Sequence, residues 1–332
     1  MQDATKHFIN GQWINSIDGR ETAVENPSTE ERIATITLGG VADVEMAVTA
    51  AKDAFPSWAA TNPSERIAAL ERLMEVYKTR AGDMAQAISI EMGAPIALAK
   101  TAQVGAGAGH LKNTIRAAKT FVFESPLGDH APGDMILYEP VGVCALITPW
   151  NWPMNQVMLK VAPALAAGCT MILKPSELSP LSSNLLAEMI DEADFPPGTF
   201  NLVNGDGAGV GAHLTAHPDV DMVSFTGSTR AGVAISKAAA DTVKRVSLEL
   251  GGKGANIIFA DADEKAVTRG VRHCFNNSGQ SCNAPTRMLV ERAIYDQTVE
   301  TARAVAEKTE VGPADIEGRQ IGPVVSETQF NK

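Results

Sequence analysis

The feature that most constrains this chain is a regular succession of apolar runs between residues 141 and 252. Strand-like runs begin near residues 141, 169, 199, 222 and 246, so successive runs start 28, 30, 23 and 24 residues apart. Each interval contains a helix-like stretch, such as 180–193. Because parallel neighbours need a crossover of a dozen or more residues, usually a helix, this spacing predicts one mostly parallel sheet covered on both faces.

Three segments before this succession predict further elements. Residues 41–58 and 62–92 carry apolar residues at helical spacing, and Asn62-Pro63-Ser64-Glu65 matches an N-cap, a first-turn proline and a third-position acid. Residues 121–140 place turn residues between two apolar stretches. That pattern predicts a hairpin that leaves the main body.

The length and the end of the chain predict two domains. A chain of 332 residues corresponds to about two domains of roughly 150 residues each. After residue 252 a strand–helix–loop–strand–helix pattern begins again, which predicts a second α/β domain. We expect an α/β fold with a first domain at 1–120 and 141–252, the hairpin at 121–140, and the start of an incomplete second domain at 253–332.

Composition and charge exclude several classes of protein. Hydrophobic residues make up 45% and charged residues 20% of the chain, as in ordinary globular proteins. The net charge of −11 disfavours nucleic acid and anionic membrane surfaces as partners. The sequence has no apolar run of about 18 residues and no basic segment followed by an apolar one at its N-terminus, so we expect a cytoplasmic protein. Its 4 cysteines are too few and too scattered for a disulfide framework or a Cys-rich zinc site.

Polar residues and glycines follow each predicted strand of the sheet. In an open parallel sheet ligands bind beyond the carboxyl ends of the strands, so these turns are the candidate binding site. The turns are Thr148-Pro149-Trp150-Asn151, Lys174-Pro175-Ser176-Glu177, Gly205-Asp206-Gly207, Gly227-Ser228, and Glu249 followed by Gly251-Gly252. Such an edge suits a dinucleotide, because glycine permits close backbone approach, helix N-termini offer N–H groups to a pyrophosphate, and Lys and Glu can bind ribose hydroxyls.

The phosphate site is predicted in FTGSTRAG at 225–232, a strand-to-helix turn with Ser228 as a hydroxyl donor. This turn is neither the GxGxxG fingerprint nor a P-loop, because Val233 stands where a P-loop has lysine. Taken alone, two glycines in such a turn more often make only a tight connection. Glu177 would repel a 2′-phosphate and favour NAD over NADP, whereas Arg230 could compensate. In isolation, Lys174 and Glu177 also fit a solvated helix start.

A candidate nucleophile lies in the loop at 276–285. Cys282 is surrounded there by Asn, Ser, Gly and Gln, whereas Cys144, Cys169 and Cys274 lie in apolar runs or a helix and are interpreted as core residues. A thiolate is a strong nucleophile, and its pKa should fall near the positive ring of a cofactor. Without further context, a loop cysteine is more often not catalytic.

Two further polar residues fit roles beside a reactive thiol. Glu249 is a carboxylate between apolar residues at a strand end, where partial burial would raise its pKa and make it a general base. A snorkelling or salt-bridged glutamate is the alternative. The Asn151 amide, fixed between prolines and tryptophans, could donate to a developing oxyanion, or the residue could simply cap the next helix.

Two patterns resemble sites but are interpreted otherwise. The glycine-rich stretch at 105–109 lies within helical periodicity and follows no strand, so it favours close helix packing over phosphate binding. His213 and His217 have i, i+4 spacing, but position 214 is Leu, so the HExxH signature fails. No metal site is predicted.

Five motifs together resemble the NAD(P)-dependent aldehyde dehydrogenase superfamily. They are TPWNWP at 148–153, LKPSELSP at 173–180, FTGSTRAG at 225–232, LELGGKGANIIFADAD at 248–263 and FNNSGQSCNAPTR at 275–287. The resemblance covers nearly the whole chain, from HFINGQWIN near the start to GPVVSETQF near the end. The motifs around Glu249 and Cys282 are the most specific.

The resemblance implies a Rossmann-like cofactor domain, a catalytic domain and a protruding oligomerisation hairpin at 121–140. It implies that Cys282 is the catalytic thiol, Glu249 the general base and Asn151 the oxyanion-hole amide. The predicted cofactor-binding residues are Thr148, Pro149, Trp150, Lys174, Ser176, Glu177, Gly207, Gly227, Ser228 and Leu250. The expected cofactor is NAD, with NADP possible, and the expected assembly is a homodimer or homotetramer.

The expected reaction is oxidation of an aldehyde to a carboxylic acid through a thiohemiacetal and a thioester on Cys282, with Glu249 activating the hydrolytic water. A CoA-acylating semialdehyde dehydrogenase is the first alternative, although such enzymes typically lack the glutamate found here at 249. A non-catalytic structural or binding protein, or an inactive fragment of this fold, is the second. Family members continue beyond residue 332, and the further region normally supplies another cofactor-binding Glu and much of the substrate funnel. By motif position, the predicted walls of the aldehyde pocket are Trp152, Met154, Ser281 and Asn283.

Overall fold

A computed structural model describes residues 2–332 of the chain. The strands are β1 (Gln2–Ala4), β2 (Lys6–Ile9), β3 (Gln12–Asn15), β4 (Arg20–Asn26), β5 (Glu31–Leu38), β6 (Glu124–Pro126), β7 (Met135–Leu137), β8 (Val143–Ile147), β9 (Thr170–Lys174), β10 (Phe200–Leu202), β11 (Met222–Gly227), β12 (Arg245–Leu250), β13 (Ala255–Ile258) and β14 (Arg287–Val290). The α-helices are α1 (Val41–Ala59), α2 (Pro63–Thr79), α3 (Ala81–Met92), α4 (Ile96–Leu98), α5 (Val104–Ala118), α6 (Pro153–Ala167), α7 (Leu181–Glu192), α8 (Ala212–Ala216), α9 (Thr229–Ala240), α10 (Ala266–Phe275), α11 (Tyr295–Glu307) and α12 (Glu327–Phe330).

The five strands predicted from the apolar runs are β8 to β12, and they form the parallel part of a central sheet. The order across this sheet is β12-β11-β8-β9-β10-β2-β3. All pairs from β12 to β10 are parallel, whereas β2 is antiparallel to both β10 and β3. The predicted α/β fold with a Rossmann-like parallel sheet is therefore confirmed.

Helices cover both faces of the sheet because its central strands are apolar on both sides. On β8, Cys144 and Leu146 belong to a core shared with α2, α3, α5, α6 and α7. Val143, Ala145 and Ile147 face the opposite way, into a core shared with α1, α8 and α9. This period of two, with both faces buried, is typical of a parallel sheet between two helical layers.

The N-terminal strands were not predicted from the apolar pattern. β2 and β3 form a hairpin whose turn, Asn10-Gly11, has positive φ at both residues, 52° and 72°. This is the dihedral pattern that Asn-Gly favours in two-residue hairpin loops. The signal was therefore present in the sequence as the dipeptide between two short apolar stretches.

The predicted helical region is confirmed, with one difference. The stretch 62–92 forms two helices, α2 and α3, because the backbone of Arg80 leaves the helical region between them (φ −102°, ψ 15°). The predicted N-terminal signal of α2 is present: the Asn62 backbone N–H donates to Oε2 of Glu65 at 3.0 Å. This contact satisfies one of the donors that the start of a helix leaves free.

The segment at 121–140 is a short antiparallel hairpin, as predicted. Its strands β6 and β7 pair with each other, Ser125 opposite Ile136. Several large apolar side chains of the segment are exposed. They are Phe121, Val122, Leu127, Met135, Ile136, Leu137 and Tyr138.

A second, smaller parallel pair begins after the central sheet ends. β13 and β14 pair in parallel, with α10 and α11 packed together beside them. The segment after α11 returns to the N-terminal helices, where the Ile96 backbone N–H donates to O of Ala314 at 2.7 Å. Within residues 2–332, no helix is long and apolar enough to cross a membrane.

Candidate active site

The carboxyl ends of the parallel strands form one edge, as predicted from the turns. Ile147, the last residue of β8, pairs with Lys174 of β9 and with Phe225 of β11. At the end of β11, Gly227 pairs with Leu250 of β12. The chain runs outward from β8 to β10 and then returns to β11, so a topological switch lies between β8 and β11. Ligands of such sheets bind in the crevice at this switch.

The turn after β8 holds the loop that carries Cys282. Nδ2 of Asn151 donates to the backbone O of Gln280 at 2.8 Å, and Nε1 of Trp152 donates to Oγ of Ser281 at 2.8 Å. Cys282 follows directly and is an exposed free thiol. Trp152, not Asn151, is the N-cap residue of α6, so the helix-capping alternative for Asn151 is wrong.

The backbone of the Cys282 loop is held in a conformation that few residues adopt. Asn277, Ser278 and Gly279 have successive positive φ values of 53°, 59° and 75°. Oγ of Ser278 donates to O of Gly322 at 2.7 Å, and Oε1 of Gln280 accepts from the Val325 N–H at 2.9 Å. Two non-glycine residues in the left-handed region persist only where their surroundings fix them.

Buried amide side chains fill the space between this loop and the Asn151 turn. Nδ2 of Asn277 donates to the backbone O of Asn151 at 2.8 Å, and Nε2 of Gln103 lies 3.3 Å from the same oxygen. Gln103 and Asn277 are 0% and 3% exposed. Nε2 of Gln280 also donates to O of Asn277 at 3.2 Å. The structure therefore adds Gln103, Asn277 and Gln280 to the surroundings of the candidate nucleophile.

Glu249 lies at the same edge but is exposed, so the expected partial burial is wrong. It lies on β12 and pairs with Thr226 of β11. Because β11 separates β12 from β8, Glu249 is two strand spacings, about 10 Å, from β8. β12 is an edge strand whose residues alternate between exposed and half-buried, and Glu249 falls on an exposed position. Five residues after it, the end of the turn approaches the end of the Cys282 loop, because the Arg287 N–H donates to O of Gly254 at 3.3 Å.

A buried lysine accompanies Glu249 on the same face of the sheet. Lys160, on α6, is 7% exposed, and its Nζ donates to Oγ of Ser224 at 2.9 Å. Burial lowers the pKa of Lys160 to about 8, while the negative charge of Glu249 opposes that shift. This ammonium group is a second feature of the edge that the sequence analysis missed.

Lys174 and Glu177 lie together after β9. Nζ of Lys174 is buried and donates to O of Gly205 at 2.5 Å, with Oε2 of Glu177 3.5 Å away. Burial lowers the pKa of Lys174, and the Glu177 carboxylate opposes this. The Glu177 side chain is 41% exposed, so it can reach a ligand at the edge. The alternative of a solvated helix start does not describe Lys174, which is buried.

The turn after β11 has the geometry of an anion site. Oγ of Ser228 accepts from the Ala231 N–H at 3.2 Å and caps α9. Gly227 leaves no room for a Cβ, because it would overlap the Phe225 ring. Leu250 packs against the start of α9, where a Cβ at Gly232 would lie 2.9 Å from Leu250 Cδ2. The N-terminus of a helix of this length offers free N–H groups to a phosphate.

The remaining predicted cofactor residues line the same edge. Gly207 starts the π-helical turn Gly207–Gly211 and has open space where a side chain would be. Oγ of Ser176 accepts from the Leu178 N–H at 3.2 Å. Thr148 is buried and donates its N–H to O of Lys174 at 3.1 Å, and Pro149 and Trp150 continue the turn towards Asn151.

Met154 does not line a substrate pocket, which corrects one expectation. It is 0% exposed, and its Cβ would lie 3.0 Å from a Cβ at Gly107 on α5. Only one glycine of the stretch at 105–109 makes this close contact; Gly105 and Gly109 face open space. The helix-packing interpretation of that stretch is thus confirmed at Gly107.

A wide cleft lies next to the base of the Cys282 loop rather than at the sheet edge. It has a volume of about 1050 Å³, and Arg272, Asn277, Lys308 and Arg319 are among its lining residues. Cys282, Glu249 and Asn151 do not line it. Among residues 2–332, no group of three or more His, Cys, Asp or Glu side chains is placed to hold a metal ion.

The chain matches a family of known proteins over almost its whole length. The model of the "Aldehyde dehydrogenase family" matches residues 13–332. The chain belongs to the aldehyde dehydrogenase family. A Pseudomonas protein named 3-succinoylsemialdehyde-pyridine dehydrogenase is 50% identical over 334 residues, which are 100% of this chain and 69% of that protein.

Solved aldehyde dehydrogenases share the fold. The enzyme from Bartonella henselae superposes with a TM-score of 0.98 at 57% identity, over 100% of this chain and 70% of that one. Aldehyde dehydrogenase C from Pseudomonas syringae, a Cys-to-Ala mutant in complex with NAD+ and octanal, superposes at 0.96 with 48% identity, over 99% and 67%. The predicted family and enzyme class are confirmed, and the chain spans about 70% of these relatives' length.

Local sequence signals could not reveal the amide side chains behind the loop. Gln103 lies 48 residues before Asn151 and 174 residues before Asn277 in the chain. Only the structure marks the position of Gln103, which ends the π-helical turn Ala99–Gln103, and such turns occur frequently at functional sites.

Proposed function

We propose that this chain carries the site at which an aldehyde is oxidised to a carboxylic acid with NAD, and that Cys282 is the nucleophile. The observation that carries the proposal is the docking of the Cys282 loop on the Asn151 turn through the Asn151–Gln280 and Trp152–Ser281 hydrogen bonds, both 2.8 Å long. This contact joins an exposed thiol and an amide donor at the ligand-binding edge of a parallel sheet.

Cys282 begins the reaction by adding its thiolate Sγ to the carbonyl carbon of the aldehyde. A carbon–sulfur bond forms, and the π electron pair of the carbonyl moves onto its oxygen. Asn151 Nδ2 has two N–H groups, and Gln280 O accepts from one of them. The other N–H, together with the Cys282 backbone N–H, stabilises the oxyanion.

The turns after β9 and β11 fit NAD. Glu177, beside the buried Lys174, would accept from the ribose hydroxyls, and the capped N-terminus of α9 would hold the pyrophosphate. NAD, when bound, supplies the acceptor for the hydride that leaves the aldehyde carbon. The Glu177 charge disfavours a 2′-phosphate, and Arg230 counteracts this preference, so NADP is the second cofactor to test.

Glu249 completes the reaction as the general base. Oxidation leaves an acyl group bound as a thioester to Cys282 Sγ, and Glu249 removes a proton from the water that attacks it. The attack breaks the carbon–sulfur bond, so the carboxylic acid leaves and the thiolate returns. The exposure of Glu249 gives it access to water, and the ammonium of Lys160 lies on the same face of the sheet.

The proposed function also assigns a role to each part of the chain. Residues 1–120 and 141–252 form the cofactor domain, and 253–332 contribute the Cys282 loop from the catalytic domain. The hairpin at 121–140 joins copies into a homodimer or homotetramer. Its exposed apolar side chains support this role, because contiguous exposed apolar surface marks association sites.

An assay of the 332-residue chain with NAD, and separately with NADP, tests the proposed function. The panel contains octanal and the semialdehyde of a succinoylpyridine, which the names of two relatives suggest. We expect NADH formation that Cys282→Ala abolishes. Strict dependence on CoA would favour the acylating alternative, and no NADH with any aldehyde would favour a non-catalytic chain.

A further inference from the structure

The buried amide cluster, defined as Gln103, Asn151, Asn277 and Gln280, connects three distant parts of the chain. We propose that Gln103 and Asn277 are positioning residues that hold the Cys282 loop against the Asn151 turn. We call the contacts of Gln103 and Asn277 with the Asn151 turn the clamp. The effect of the clamp on turnover rests on the proposed function. Neither side chain has to touch the substrate for this role.

The contacts converge on a single acceptor. Asn277 Nδ2 and Gln103 Nε2 approach the backbone O of Asn151 at 2.8 and 3.3 Å, so both lone pairs of that carbonyl are used. In return, the Asn151 side chain donates to the backbone O of Gln280 at 2.8 Å. Asn151 is thus bound to the loop twice, through its backbone O to Asn277 and through its side chain to Gln280. Gln280 lies only two residues before Cys282.

Gln103 and Asn277 also contact each other, which makes the cluster a network. Gln103 Nε2 lies 3.4 Å from Asn277 Oδ1 and 3.6 Å from Met92 Sδ. Gln103 is fully buried, and its Oε1 has no hydrogen-bond partner among the described residues. An unpaired buried oxygen is costly for folding, and a sulfur acceptor is weak. Packing alone would favour an apolar side chain at position 103.

The local backbone at both residues is arranged to make these contacts. The π-helical turn Ala99–Gln103 widens the helix just before α5 and ends at Gln103. Asn277 has a φ of 53°, and Ser278 after it has a φ of 59°. Because side-chain contacts must hold such conformations in place, removal of the Asn277 donor should loosen the loop that ends at Cys282.

Two near-isosteric substitutions with matched controls test the clamp. Asn277→Asp keeps a residue that tolerates positive φ but removes the N–H donor to Asn151 O; Asn276→Asp adds the same charge one residue away. Gln103→Met keeps the shape but removes the amide; Gln86→Met makes the same change at an exposed position on α3. The double variant Gln103→Met/Asn277→Asp completes a mutant cycle.

Hydrogen exchange measured by mass spectrometry without NAD or aldehyde reports the clamp independently of activity. We expect faster exchange at 276–283 in Asn277→Asp and Gln103→Met, unchanged exchange in β8 and β9, and wild-type exchange in both controls. Unchanged exchange at 276–283 in both test variants would overturn the proposal, whether or not the chain oxidises aldehydes. A chain without activity but with faster loop exchange would retain the clamp and refute the proposed function instead.

Steady-state kinetics separate positioning from a general loss of stability. We expect kcat to fall about 10- to 100-fold in each test variant while the KM for NAD stays near that of the wild type, since small misplacements of reacting groups cost this much. The double variant should fall less than the product of the two single effects, because both side chains act on Asn151 O. Loosened loops with an unchanged kcat would overturn the role in positioning Cys282.

Discussion

At the scale of single residues, the site depends on contacts that ordinary residue types make in unusual surroundings. Cys282 is exposed, whereas Cys144 and Cys169 are buried in the sheet, so exposure alone separates the candidate nucleophile from two other thiols. Glu249 and Lys160 show the same principle for charge: Glu249 is exposed on the edge strand β12, and Lys160 is buried against Ser224 of β11. The chemistry of each side chain follows from its position more than from its type.

The buried carboxyl of Glu91, outside the site, should make the stability of the protein depend on pH. Burial raises the pKa of Glu91 to about 8, although the Leu181 and Ser182 N–H groups donate to the carboxyl. Its ordinary pKa is 4.5, so between these values the folded state binds more protons than the unfolded state. Stability from this group is therefore present at acid pH and is lost as pH rises towards about 8.

We expect Glu91→Gln to reduce this pH dependence. Between about pH 6 and pH 8, the free energy of unfolding of the wild type should fall by about 2 kcal/mol more than that of the variant. Urea unfolding at the two pH values measures the difference, and Glu75→Gln on the exposed face of α2 is the control. Equal slopes for the wild type and Glu91→Gln would show that Glu91 carries no such linkage.

At the scale of elements, the sequence predicted what local pattern determines. The strands β8 to β12 were found because each is a short apolar run followed by a polar or glycine-containing turn, and the edge they share followed from their parallel order. The N-terminal strands were missed although Asn10-Gly11 marked the β2–β3 hairpin. The exposure of Glu249 could not be foreseen, since it depends on β12 being the edge of the sheet.

Glycines within α5 give a paired prediction for that helix. Gly109→Ala should stabilise the protein by about 0.5–1 kcal/mol, because the position meets open space and Gly disfavours a helix interior. Gly107→Ala should destabilise it by about 1–3 kcal/mol, since the new Cβ meets Tyr77 and Met154. Thermal unfolding of both variants checks the signs; stabilisation by Gly107→Ala would show that α5 and α6 are not closely packed there.

At the scale of the whole molecule, the hairpin at 121–140 collects several exposed apolar side chains in one short segment. The side chains of Met135, Leu137 and Tyr138 are all more than half exposed, at 51%, 56% and 56%. The net charge of −11 works against nonspecific self-association, so a specific apolar contact is needed to bring copies together.

We expect Leu137→Asp to shift the protein towards monomers, because a charge would be buried in the proposed contact between copies. Sedimentation velocity over a range of protein concentrations measures the shift. Val243→Asp, at an apolar position 89% exposed and outside the hairpin, should leave the assembly unchanged. A wild type that is already monomeric, or a Leu137→Asp variant with the same assembly, would contradict the association role of the hairpin.

In the proposed mechanism, Cys282 holds the acyl group and Glu249 releases it. Rapid mixing of the Glu249→Gln variant with NAD and octanal, followed by mass spectrometry of the peptide containing Cys282, tests this most directly. We expect one fast equivalent of NADH, an octanoyl adduct on Cys282, and a steady-state rate about 10² to 10⁴ times lower, as for loss of a general base. An unchanged steady-state rate, or a burst of NADH with Cys282 unmodified, would contradict the mechanism.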